Sequence, residues 1–284
     1  MDSTLPHLPH RSKRGYFSGI SSGSPKRPVS GFCGARAPQN PRGFTLVEIA
    51  VAIFIITILL GSILVPLTTH VEQRQVSETQ RMLENIREAL IGHAVAKGYL
   101  PCPDRTSGGA GTANDTANDG VEDYNTGTGI CFSTTASGNV PWVTLGLGAM
   151  DPWGNRFRYR VHSVYAQRSP AIPPRFNFST ATNLTVTATS GGTLLTAASP
   201  DGAVAVIISH GKNGYGAMNA HNNTARPAPT SADEVDNAAG GTLSNFTSRT
   251  ITPVGSAAGE FDDIVVWLGK YTLFNRMVAA GKLP

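Results

Sequence analysis

The chain lacks the short motifs that mark common catalytic sites. Gly211-Lys212 is followed by Asn213, so no GK[ST] phosphate-binding loop is formed. No G-x-S-x-G turn is present to raise a nucleophilic serine. His93, His162, His210 and His221 are scattered, without an H-E-x-x-H pair for a metal. Acid is almost absent from residues 1–43, which carry Arg11, Lys13, Arg14, Lys26, Arg27, Arg36 and Arg42 against Asp2 alone. That segment is net +6, so residues 44–284 carry −2 of the whole chain's +4. The basic pI therefore belongs to the leader, and nucleic acid is not an expected partner. Cysteine is scarce: Cys33, Cys102 and Cys131 are the whole set.

Charge is also missing from Ile49 to Val65, where only Thr57, Gly61 and Ser62 interrupt large apolar side chains. A helix with no polar face cannot lie on a water-facing surface. At about 1.5 Å per residue the run spans roughly 26 Å, and Phe44 to Leu67 spans about 36 Å, enough for a hydrocarbon core of about 30 Å. The positive flank precedes the run, so residues beyond about 68 are expected outside the cytoplasm. A cleaved secretory signal would have a shorter apolar region and a small-x-small site after it, whereas LTTHVEQ follows here. Inside this apolar context stands one carboxylate, Glu48, costly enough to read as functional.

Gly43-Phe44-Thr45-Leu46-Val47-Glu48 followed by a membrane-length apolar helix resembles the type IV prepilin motif, shared by pilins and type II secretion pseudopilins. The resemblance implies cleavage between Gly43 and Phe44 by a prepilin peptidase, and N-methylation of Phe44 by the same enzyme. The leader, at 43 residues, is long for the family. Gly43 lets a protease approach the backbone closely. Cleavage frees a cationic amine on Phe44, and Glu48 supplies the opposite charge. In a helix bundle an unpaired Glu48 would be strongly disfavoured, so pairing with a neighbouring subunit's amine would fix axial register. Pro66 is expected to kink or loosen the helix.

Leu83, Ile86, Leu90 and Ala94 continue at helical spacing, with Glu84, Arg87 and Glu88 on other faces, and Gly98 is the expected stop. The chain therefore divides into a cytoplasmic basic leader (1–43), a transmembrane helix (44–67), its amphipathic continuation (68–97) and a periplasmic globular domain (98–284). The expected fold is α+β and pilin-like, a long N-terminal helix packed on an antiparallel sheet. Loss of the leader leaves Cys102 and Cys131, an even pair that reads as a disulfide in an oxidising compartment.

Between those cysteines, Asp115, Asn118, Asp119, Glu122 and Asp123 cluster around Gly120. Such oxygen donors suit Ca2+, although the EF-hand spacing is incomplete; a solvated Asn/Asp/Gly turn is the other reading. Asp233, Glu234 and Asp236 form a second acidic cluster, a weaker Ca2+ candidate for which a solvated face is the preferred reading. Asp151-Pro-Trp-Gly-Asn155 before alternating Phe157, Tyr159 and Val161 signals a turn into a strand, and it also resembles the globular domain of major pseudopilins. Further strands are expected at Asn183–Thr189, Ala203–Ser209 and Phe261–Leu268, a helix at Thr272–Ala280, and mostly loop over 211–259. The implied role is a subunit of a type II secretion or type IV pilus-type filament in the inner membrane. Its partners would be the prepilin peptidase, other pilin-like subunits and the assembly machinery. A membrane-anchored periplasmic enzyme would need clustered titratable groups, and an adhesive or DNA-uptake minor pilin a basic or aromatic surface.

Overall fold

The computed structural model describes residues 43–108, 116–132, 137–168, 176–238 and 244–283, and for 62–68 the backbone alone. Two compact units divide the chain, residues 1–56 and 57–284. Helix α1 (Leu46–Lys97) begins in the first and continues in the second. Its helical assignment runs through Pro66 without interruption. It stops at Gly98, whose φ of 85° is the left-handed conformation that glycine adopts without strain.

In the second unit α1 buries the stripe foreseen from its spacing: Leu83, Ile86, Leu90 and Ala94, joined by Ile91. Thr79 is also buried, and its hydroxyl donates to the Gln75 carbonyl at 2.8 Å. This back-bonding satisfies the hydroxyl within the helix.

The sheet is antiparallel throughout, in the order β1 (Ser137–Asn139), β2 (Arg158–Val161), β4 (Ala203–Ser209) and β6 (Ile264–Gly269). A smaller ladder pairs β3 (Thr185–Thr187) parallel with β5 (Asn245–Thr247). All seven residues of β4 are buried because both its faces are covered. Ala205 and Ile207 join the α1 stripe, Tyr159 and Leu268 in one core. Val206 and Ile208 join Val186 and Phe246 in a second core under the small ladder. An irregularity between Ala203 and Ala205 leaves Val204 without a partner in the register and puts it in the same core as Ala205. That is the effect of a bulge, which re-aims one side chain. Helix α4 (Lys270–Ala279) follows β6 and adds Leu273, Phe274 and Met277 to the first core.

The Asp151–Asn155 segment turns the chain into β2. Asp151 is buried and its carboxylate accepts the N–H of Trp153 at 3.0 Å, the N–H of Asn155 at 2.9 Å and the Ser209 hydroxyl at 2.7 Å. The turn is thereby tied to the end of β4. Two elements occupy the stretch expected as loop: α3 (Ala232–Ala238) and β5. Asn237 explains why they form there. Its amide donates to the Thr247 carbonyl at 2.9 Å and accepts the Thr247 N–H at 2.9 Å, so each short element completes the other. Two short helices, α2 (Trp142–Leu145) and a 3-10 turn (Ser163–Ala166), complete the described elements.

Candidate functional site

The first unit begins with the Gly43–Glu48 segment. Thr45 is the residue before α1, and its hydroxyl accepts the Glu48 N–H at 3.2 Å. Threonine at the cap and glutamate three residues on is the pattern of a capping box. A carboxylate in the first turn also faces the partial positive charge of the helix end. Thr45 and Glu48 thus start the helix. The T-x-x-E spacing was available in the sequence and signals this role directly. Phe44 is 76% exposed and Leu46 is 86% exposed. From Ile49 to Leu60 the large apolar side chains are exposed on every side of the helix, the opposite of a core helix.

No helix among the described residues is long and apolar enough to cross a membrane. The described side chains of the apolar run end at Gly61 and resume at Thr69. The leader, with Cys33 and its basic residues, lies outside the described residues, as does Asp115.

Cys102 and Cys131 form a disulfide, with Cα atoms 5.4 Å apart. Two carboxylates of the acidic cluster it encloses, Glu122 and Asp123, are buried. Glu122 accepts the Cys102 N–H at 3.1 Å and pairs with Arg168. Asp123 accepts the Arg105 N–H at 2.7 Å, and exposed Asp119 accepts the Val121 N–H at 2.8 Å. The Asn118 carbonyl oxygen of the side chain accepts from the Asn139 amide at 2.8 Å. Asp104 is fully buried at the centre, where it accepts the N–H groups of Asn118 at 2.9 Å and Gly120 at 3.1 Å. Burial first, then repulsion from Asp123 and Asp119, pushes its pKa up to about 7 against those two hydrogen bonds. This carboxylate lies outside the Asp115–Asp123 cluster, so the spacing within that cluster could not reveal it.

Among the described residues, the group of three that places ligand oxygens within 4.8 Å of one another is Glu234, Asp262 and Asp263. The second acidic cluster is therefore not a solvated face: Asp233 and Glu234 are 8% and 1% exposed. Asp233 pairs with Arg249 at 2.5 Å. Glu234 accepts from the Asn213 amide at 3.1 Å and the Asp262 N–H at 3.2 Å. Asp263 faces His210 Nδ1 at 3.2 Å and accepts from the Asn237 amide at 2.8 Å. Asp262 accepts the Asn213 N–H at 2.8 Å through Oδ2, while its buried Oδ1 has no partner. Burial, followed by the carboxylates of Asp263, Glu234 and Glu260, pushes the Asp262 pKa up to about 7. Gly211 makes this corner possible, since a Cβ there would stand 2.3 Å from the Asp262 carbonyl oxygen.

No curated protein and no solved structure matches the chain significantly. Residues 38–64 match the family described as the prokaryotic N-terminal methylation motif. The match spans the Gly43–Phe44 junction, the cap at Thr45 and Glu48, and most of the exposed apolar helix. The chain carries the prepilin-type N-terminal cleavage and methylation motif of type IV pilin-like proteins.

Proposed function

We propose that the protein is a pseudopilin, a structural subunit of a type II secretion or type IV pilus-type filament. The precursor is cut between Gly43 and Phe44 by a prepilin peptidase, and Phe44 is then N-methylated. Residues 44–67 hold the subunit in the inner membrane, and residues 98–284 form a pilin-like periplasmic domain. The observation that carries this reading is the motif seated at the start of a helix whose first apolar residues, from Ile49 to Leu60, are exposed all round. Such a surface has no use in water and suits lipid first and neighbouring helices afterwards.

Glu48 has the central part in assembly. In a membrane-inserted subunit it sits near the interface; in a filament it would be desolvated. The Phe44 amine of a neighbouring subunit then supplies its counter-charge, which makes the wrong axial register costly. Glu48→Ala should leave cleavage intact and abolish recovery of the subunit in the sedimentable filament fraction. Normal incorporation of this variant would refute the pairing.

A further inference from the structure

The second unit carries an open groove of about 520 Å³ beside the start of its described α1 side chains. Val76, Trp153, Ile251, Pro253 and Val254 give it an apolar lining, and Glu260 and Asp262 an acidic one. Val254 is 77% exposed and Ile251 43% exposed, although both are large apolar residues. Clustered exposure of this kind marks interaction surfaces. Lys212 also lines the groove, but it is paired with Glu72. Among the described residues no cation pairs with Glu260 or Asp262, and Glu234 and Asp263 add further negative charge behind them. The groove fits an apolar ridge that carries a cation.

The same helix presents such a ridge. Val71 is 51% exposed, and Arg74, one turn on, is exposed with no ion partner among the described residues. At about 100° per residue, Glu72 and Val76 lie on one side of α1 and Val71 and Arg74 on roughly the opposite side. Groove and ridge therefore cannot meet within one molecule, but they can meet between copies. A contact that uses two different patches of each subunit is heterologous, and it propagates into an open chain wherever its rotation does not close a ring.

We propose that the groove receives the Val71–Arg74 ridge of a second copy of this chain, with the Arg74 guanidinium against Glu260 and Asp262 and Val71 against Ile251 and Val254. This contact rests on the filament reading and names a surface through which the periplasmic domains engage. Desolvated interfacial charge pairs of this type govern both dissociation and specificity.

The test uses two distinguishably tagged full-length copies expressed together, one with Val254→Cys and the other with Val71→Cys, and a thiol crosslinker. A crosslink joining the two tags is expected. Arg74→Glu in the second copy, or Glu260→Lys in the first, should reduce it about tenfold or more, and the two changes together should restore it. Sedimentable assembly is measured alongside. Assembly without the crosslink, or with a crosslink indifferent to the charge changes, overturns the contact and leaves the filament reading standing. Absence of any assembly overturns both. A crosslink that ignores the charge changes but disappears with EDTA assigns the carboxylates to a divalent cation and also overturns the contact.

Discussion

Glu48 has a role at the helix start and a proposed one in assembly, and a glutamine in its place separates the two. As the third helical residue after the Thr45 cap it helps to start α1, and a glutamine at that place can do the same. As the partner of a charged amine it needs its carboxylate. Glu48→Gln should therefore keep the helix start and processing but fail in assembly as fully as Glu48→Ala, measured by the filament fraction. Normal assembly of the glutamine variant would mean that capping is its whole contribution. Asp262 makes a different prediction at the same scale. Its folded pKa of about 7 lies above the ordinary carboxylate value of 3.8. The folded protein then binds a proton that the unfolded chain has released, so stability falls as pH rises from about 4 to about 7 and levels off above that. Asp262→Asn should reduce the change in Tm between pH 5.5 and 7.5, since the amide carries no charge to confine, and the remainder belongs to Asp104, whose pKa is raised to about 7 as well.

The disulfide, the central strand and α1 contribute to the stability of the second unit. Closing a loop of 29 residues' separation between Cys102 and Cys131 restricts the unfolded chain by about 3–4 kcal/mol. A double Cys→Ser variant should lose an amount of this order in denaturant unfolding. Leu90→Ala, at a fully buried position in the core that β4 and α4 share, should lose about 2–5 kcal/mol, whereas exposed Val254→Ala should stay near neutral. These elements were readable from the sequence for a common reason. The Ala203–Ser209 run is continuously apolar because β4 is covered on both faces, and the α1 stripe repeats over enough turns to show its period. Helix α3 and strand β5 escaped because seven and three residues are too short for any period. They exist through Asn237 and Thr247, a contact between residues that local patterning does not connect. The same separation hid the Glu234–Asp262–Asp263 corner, which joins α3 to the entry of β6. The Gly43–Glu48 segment was legible because its chemistry is contiguous.

For the whole molecule, the division of labour follows from where apolar surface is spent. The sheet carries two buried cores, one on either side of it. The start of α1 leaves its own apolar surface exposed, which a lone protein in water would not tolerate and a membrane or filament would. Under the proposed function the leader's positive charge would keep one end cytoplasmic, and the disulfide would lie in an oxidising compartment on the other side. That reading is of a subunit made as a precursor, trimmed at the membrane and then assembled. The trimming is the step on which the rest depends. Intact-mass analysis of the protein extracted from membranes should show a chain beginning at N-methylated Phe44. A mass that retains the leader, or one that begins beyond the apolar run, would contradict the account.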